Sequence, residues 1–201
     1  MRILPILTVA SASAAYFILI IQTIRKDQKP EEKVSFSSFL LWLIIDVIML
    51  VNTFRAKNNL VLIGAYTVLT TILTTILFYK RQFSWNKTDT KVAILAFACL
   101  VISYATRPIV GVTCGALSLA CAGIPNLIGI YRKRPTRLQY MTIIFFILGP
   151  LFSVISITMK NGLVKDYIYP CIAITYWSIA LAMTLRNQFR LINYQKVPAS
   201  I

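Results

Sequence analysis

The chain has 201 residues, 58% of them hydrophobic and 13% charged, with 21 Lys and Arg against 6 Asp and Glu. Soluble domains carry roughly 25% charged residues, so this composition excludes an ordinary water-soluble globule and points to a bilayer. There is no histidine, which removes the commonest general base and metal ligand.

In chain order the apolar stretches are residues 3–24, 34–54, 58–79, 92–106, 108–131, 138–159 and 167–185. A helix rising 1.5 Å per residue needs about 20 residues to cross a hydrocarbon core of about 30 Å. Six stretches qualify outright, and 92–106 qualifies by borrowing residues past Arg107-Pro108. Membrane β-strands would alternate in polarity over roughly ten residues, and these stretches do not. The fold class expected is therefore an all-α membrane protein with seven transmembrane helices. At the N-terminus, Arg2, ILPILTVA and SASAA imitate a secretory signal with a small-residue cleavage site. The apolar run continues through YFILIIQTI, so a retained span is expected.

The excess of positive charge has a topological meaning. If the N-terminus is outside, the inner loops hold Arg25, Lys26, Lys29 and Lys33, then Lys80, Arg81, Lys87 and Lys91, then Arg132, Lys133, Arg134 and Arg137. Arg186, Arg190 and Lys196 add to them at the C-terminal end. The opposite side keeps Arg2, Arg55, Lys57, Arg107, Lys160 and Lys165. Short loops rich in Lys and Arg stay cytoplasmic, so an outside N-terminus and a cytoplasmic C-terminus are expected, in a membrane that the sequence does not name. Contact with anionic headgroups follows; a nucleic-acid partner does not. The sequon NKT at 86–88 falls on the inner side and is expected to stay unmodified. Cys99, Cys114, Cys121 and Cys171 lie within spans without C-x-x-C spacing. They read as small apolar residues, and no metal or cofactor is expected.

Residues 57–66, KNNLVLIGAY, and 160–169, KNGLVKDYIY, agree at five of ten positions, 103 residues apart. The same offset carries 34–54 onto 137–157, 58–79 onto 161–182 and 3–24 onto 106–127, each close to a later apolar stretch. It pairs Trp42 with Phe145 and Tyr66 with Tyr169. Three crossings leave a chain on the far side of the membrane. A second copy in the same orientation therefore needs one linking helix, and 92–106 stands unpaired between the copies. The expectation is a 3+1+3 parallel repeat of triple-helix bundles. Its units are 1–83 for the first bundle, 84–107 for the linker helix, 108–190 for the second bundle and 191–201 for the tail. Arg107-Pro108 marks the seam, because the residue before proline is biased away from helix.

GIPNLIGIYRKRPT at 123–136 resembles the PQ-loop motif, with proline, an amide, an apolar run and a basic cap. KDYIYP at 165–170 resembles the entry to the last helix of SWEET-type sugar transporters, and SFSSFLLWLIID at 35–46 is similar to their second helix. The resemblance implies a seven-helix transporter with a central cavity between two bundles, working by alternating access. It assigns Pro125 and Pro150 as conformational hinges; their partners at the 103 offset are Gln22 and Val47. The family's sugar-facing asparagine is replaced by Cys171 in the second repeat and Val68 in the first.

Several residues stand out for chemistry. Asp46 is the sole acidic residue within a span and lies near the middle of its helix. A carboxylate there costs about 2.5–3.5 kcal/mol on insertion scales and is kept only against protein, water or a partner. It belongs to a semi-polar stripe of Ser38, Trp42, Asp46, Met49 and Thr53, which suits a cavity wall with a carboxyl that exchanges a proton; a packing aspartate is the plainer reading. Asn126, beside Pro125, can both donate to and accept from a ligand, while Gly115 and Gly129 on the same helix read as packing. Thr67, Thr71 and Thr74 read as self-satisfied hydroxyls. Tyr176 and Trp177 fall mid-span rather than in an interfacial belt and could stack on a ring-bearing solute.

The function expected is a facilitator or proton-coupled carrier for a small polar solute. Asp46, Asn126, Trp177, Tyr176, Trp42 and Ser38 would bind it, and Pro125 and Pro150 would flex. The alternative is a non-transporting receptor or interaction protein on the same scaffold. An enzyme is not expected, for want of a nucleophile with a base or of paired carboxylates. The partners expected are the lipid bilayer and the solute, with homo-oligomerisation left open.

Overall fold

A computed structural model describes residues 3–25, 36–55, 59–81, 85, 87–132 and 136–195. Much of the basic loop charge (Lys26, Lys29, Lys33, Lys57, Lys133, Arg134 and Lys196) and Asn86 of the sequon lie outside the described residues. The helices are α1 (Ile3–Ile24), α2 (Phe36–Arg55), α3 (Val61–Tyr79), α4 (Lys87–Ala105), α5 (Pro108–Ala122), α6 (Ile124–Arg132), α7 (Arg137–Met159) and α8 (Val164–Gln195). Among the described residues, six stretches are long and apolar enough to cross a membrane: α1, α2, α3, Val110–Tyr131 across α5 and α6, α7, and Val164–Phe189 of α8. The expected seventh crossing is present as helix α4 but is not among those six. Its first turns carry Lys87, Asp89 and Lys91, which shorten its apolar length.

Large apolar side chains lie on the outside as well as in the core, and several polar ones lie inside. Ile6, Phe17, Val51, Phe54, Val68 and Phe97 are exposed, while Thr8, Gln22, Ser38, Asp46, Asn52, Thr70 and Thr184 are buried. Large contiguous apolar surface is rare on soluble monomers. It is what a chain solvated by hydrocarbon presents, since lipid accepts apolar side chains and leaves polar ones to find partners inside.

Local chemistry sets the helix ends. Pro108 opens α5, where its missing N–H costs nothing, and Arg107 before it is extended at φ −61°, ψ 147°. Thr136 caps α7 by accepting from the Gln139 N–H at 3.2 Å. At the other end of α7, Asn161 takes φ 52°. The Gly162 N–H then reaches the Ile157 carbonyl at 2.9 Å, and the Asn161 N–H reaches that of Thr158 at 3.1 Å. This is a Schellman stop built on an asparagine, a residue that tolerates the left-handed region. α5 and α6 are parts of one crossing: the Gly123 N–H bonds the Leu119 carbonyl at 3.1 Å, and the Gly123 carbonyl accepts from Leu127 at 3.0 Å.

α3 packs on both α1 and α2, and α8 packs on both α5–α6 and α7. The two sets meet along two seams, α1 against α7 and α2 against α5. α4 lies mainly on α5, with a smaller contact to α2. The core between the sets is aromatic, with Tyr16, Phe39, Trp42, Tyr66, Phe146, Tyr176 and Trp177 all buried.

Candidate functional site: an aromatic cavity around Asp46

Within this core lies a cavity bounded by α1, α2, α3, α5, α7 and α8. The space between its atoms, the open side included, comes to about 490 Å³. Its walls are mostly rings: Tyr16, Trp42, Tyr66, Phe146, Tyr169, Tyr176 and Trp177. Phe146 and Trp177 stack with centroids 4.2 Å apart and planes 5° from parallel. Trp42 meets Trp177 and Tyr176, each at 5.9 Å. Tyr16 meets Phe146 edge-on at 5.2 Å. Ring pairs at such separations lock one another's orientation, so the walls are fixed by their own contacts.

The polar tips of several rings are spent on backbone. Trp42 Nε1 donates to the Leu119 carbonyl at 2.9 Å, crossing the α2–α5 seam. The Tyr176 hydroxyl donates to the Gly123 carbonyl at 3.0 Å. Pro150 lacks an N–H, so the carbonyl one turn back, that of Phe146, loses its helical donor. The Tyr66 hydroxyl lies 3.5 Å from that carbonyl, a long contact that crosses from α3 to α7.

Among the described residues, Asp46 supplies the one carboxyl group of the lining. It is 2% exposed and sits at the middle of α2, about 15 Å from either helix end at 1.5 Å per residue. The Thr70 hydroxyl donates to Asp46 Oδ2 at 3.1 Å. The Tyr16 hydroxyl is also bonded to Thr70 Oγ1. Thr70 has a single proton and gives it to Asp46, so Tyr16 is the donor in the second bond. The result is a directed chain, Tyr16 to Thr70 to Asp46, that presents a donor to Oδ2. Asp46 Oδ1 is buried and has no hydrogen-bond partner among the described residues.

Of the residues singled out from sequence, Trp42, Asp46, Tyr176 and Trp177 line this cavity together. Asn126 does not line it; its amide approaches the Tyr176 hydroxyl at 3.4 Å from behind. Ser38 is fully buried along the same face of α2, outside the lining. Pro125 is the second residue of α6, just past Gly123, and Pro150 lies inside α7. Tyr16, Phe146 and the role of Thr70 were not anticipated. Tyr16 did carry a signal, as a tyrosine deep within an apolar span and far from an interfacial belt. Phe146 carried none, because a phenylalanine is at home anywhere in such a span.

A second cleft lies where α2 and α7 end and α3 and α8 begin. Thr53, Asn59, Ser153, Lys165 and Asp166 line it, and so does Tyr169, which also lines the central cavity. Tyr169 packs against Tyr66 with ring centroids 6.3 Å apart. These two tyrosines are the pair at the 103-residue offset; both line the cavity, and Tyr169 alone also borders the cleft. No family model matches the chain, and no curated protein or solved structure matches it.

Proposed function

We propose that the chain is a membrane carrier for a small polar solute, with the central cavity as binding site and alternating access as mechanism. The bundles are α1–α3 and α5–α8, arranged as a 3+1+3 parallel repeat with α4 as linker. One observation carries the reading. Exchanging α1, α2 and α3 for α5–α6, α7 and α8 maps the packing contacts within one set, and the two main seams between the sets, onto counterparts; the slight α3–α7 contact has no equal. Such an interface can rock about a site at its centre. The resemblance to PQ-loop and SWEET-type transporters points the same way. Tyr66 and Tyr169 form the closure on the side of the second cleft, and Pro125 and Pro150 are the points of give. The Asp46 carboxyl is the group that would carry a coupled proton.

Flux into vesicles reconstituted with the purified chain tests this, using a panel of amines, amino acids, sugars and polyols. At least one solute is expected to enter faster than into protein-free vesicles, with Asp46→Asn slowing it. A panel without any such solute sinks the carrier reading. Saturable binding without flux favours the receptor alternative instead.

A further inference from the structure

We propose that the central cavity takes a small organic ammonium ion, a protonated amine that sets an N–H against Asp46 Oδ1 and its carbon skeleton against the surrounding rings. The inference rests on the carrier reading only in sharing its cavity; it concerns what is bound, whether or not it is moved.

The polar inventory of the site selects this chemistry. Oδ2 of Asp46 already has its donor from Thr70. Oδ1 has none among the described residues, and a buried oxygen without a partner is a standing cost that a ligand donor removes. The missing element is therefore a donor, and a cationic one also answers the charge of the carboxylate. A polyol is a poor match. It would need several donors and acceptors, but Trp42 Nε1 and the Tyr176 hydroxyl are committed to backbone carbonyls. A bare metal ion fits no better, because hard cations want about six oxygen ligands and this lining is mostly carbon. What the walls offer instead is ring surface. Trp42 and Trp177 are buried beside the same space as Asp46, and an aromatic face attracts a cation within about 6 Å of its centroid.

The position of the carboxylate strengthens the case. Asp46 is held at mid-helix by Tyr16 and Thr70, residues of two other helices, so it is fixed before any ligand arrives. A preset counter-charge facing fixed rings is the arrangement that binds an ammonium with little ordering cost.

Purified full-length protein in detergent micelles, titrated with benzylammonium and followed by tryptophan fluorescence and calorimetry, tests this. Empty micelles serve as blank and benzyl alcohol as the neutral isostere. Benzylammonium is expected to bind saturably and about tenfold or more tighter than benzyl alcohol. Benzyltrimethylammonium, which has no N–H, is expected to bind more weakly than benzylammonium. Asp46→Asn should weaken benzylammonium about tenfold, and Trp177→Leu about threefold. Benzyl alcohol or glucose binding as tightly as benzylammonium to the unmodified protein overturns the proposal, and that comparison needs no variant to fold. Benzylammonium bound in micelles without flux in vesicles removes the carrier reading alone. Glucose flux without ammonium binding removes this inference alone.

Discussion

α3 and α8 begin on related sequence and then part company. Both carry a tyrosine five residues past their starts, Tyr66 and Tyr169, and both tyrosines line the cavity. Beyond that, α3 turns to hydroxyls and α8 to rings. At the 103 offset Thr70 stands opposite Ala173, and Thr74 opposite Trp177. The split extends to the neighbouring helices, with Asp46 on α2 facing Gly149 on α7 at the same offset. One half of the chain thus holds the carboxylate and the hydroxyls that position it. Rings of the wall come from both halves, Tyr16, Trp42 and Tyr66 from this one and Phe146, Tyr169, Tyr176 and Trp177 from the other. Neither half of the chain lines the cavity alone.

Trp177→Ala attacks the ring side at its best-packed point. Such truncations cost about 3–5 kcal/mol in soluble cores, but part of that is transfer from water, which helices already in lipid do not regain. A loss of about 2–3 kcal/mol in unfolding free energy is expected, read by equilibrium denaturation in mixed micelles. Phe146, stacked on it, should lose its restraint.

Gly123→Ala acts on the same side through close approach. A Cβ there would run into the Tyr176 ring, whereas one on Gly129 would meet nothing within 4 Å. Overpacking of this sort costs about 1–3 kcal/mol, while Gly129→Ala should gain about 0.5–1 kcal/mol from helix propensity. Equal melting temperatures for the two variants would remove Tyr176 from its place against the α5–α6 junction.

The hydroxyl side should respond less in stability and more in binding. Thr70→Val removes the donor to Asp46 and the acceptor of Tyr16, a loss of about 1–2 kcal/mol. Thr71→Val, one position on, should be nearly silent, because the Thr71 hydroxyl only bonds back to the Thr67 carbonyl at 2.7 Å. If the two variants melt alike, Asp46 is not held in the way described.

Much of this was legible in the chain. Apolar length gave the helices, and Pro108 marked the boundary after the fourth. Asp46 stood out because a charge at mid-span must have a reason. The stripe Ser38, Trp42, Asp46, Met49 and Thr53 is buried throughout, as its helical spacing suggested. The cavity itself was only half legible. Periodicity places Trp42 and Asp46 on one face of one helix, but not Tyr16 and Phe146 across from them. Asn126 looked like a ligand contact by composition, and packing set it behind Tyr176.

The sequence by itself determined that the chain is helical and apolar outside, and where along each helix its few polar groups fall, because bilayer thickness and the helical rise leave little freedom. Only the tertiary structure decided which of those groups meet. That depends on how six helices turn their faces toward one another, a choice settled by ring packing and a few cross-helix hydrogen bonds that no single stretch of chain encodes.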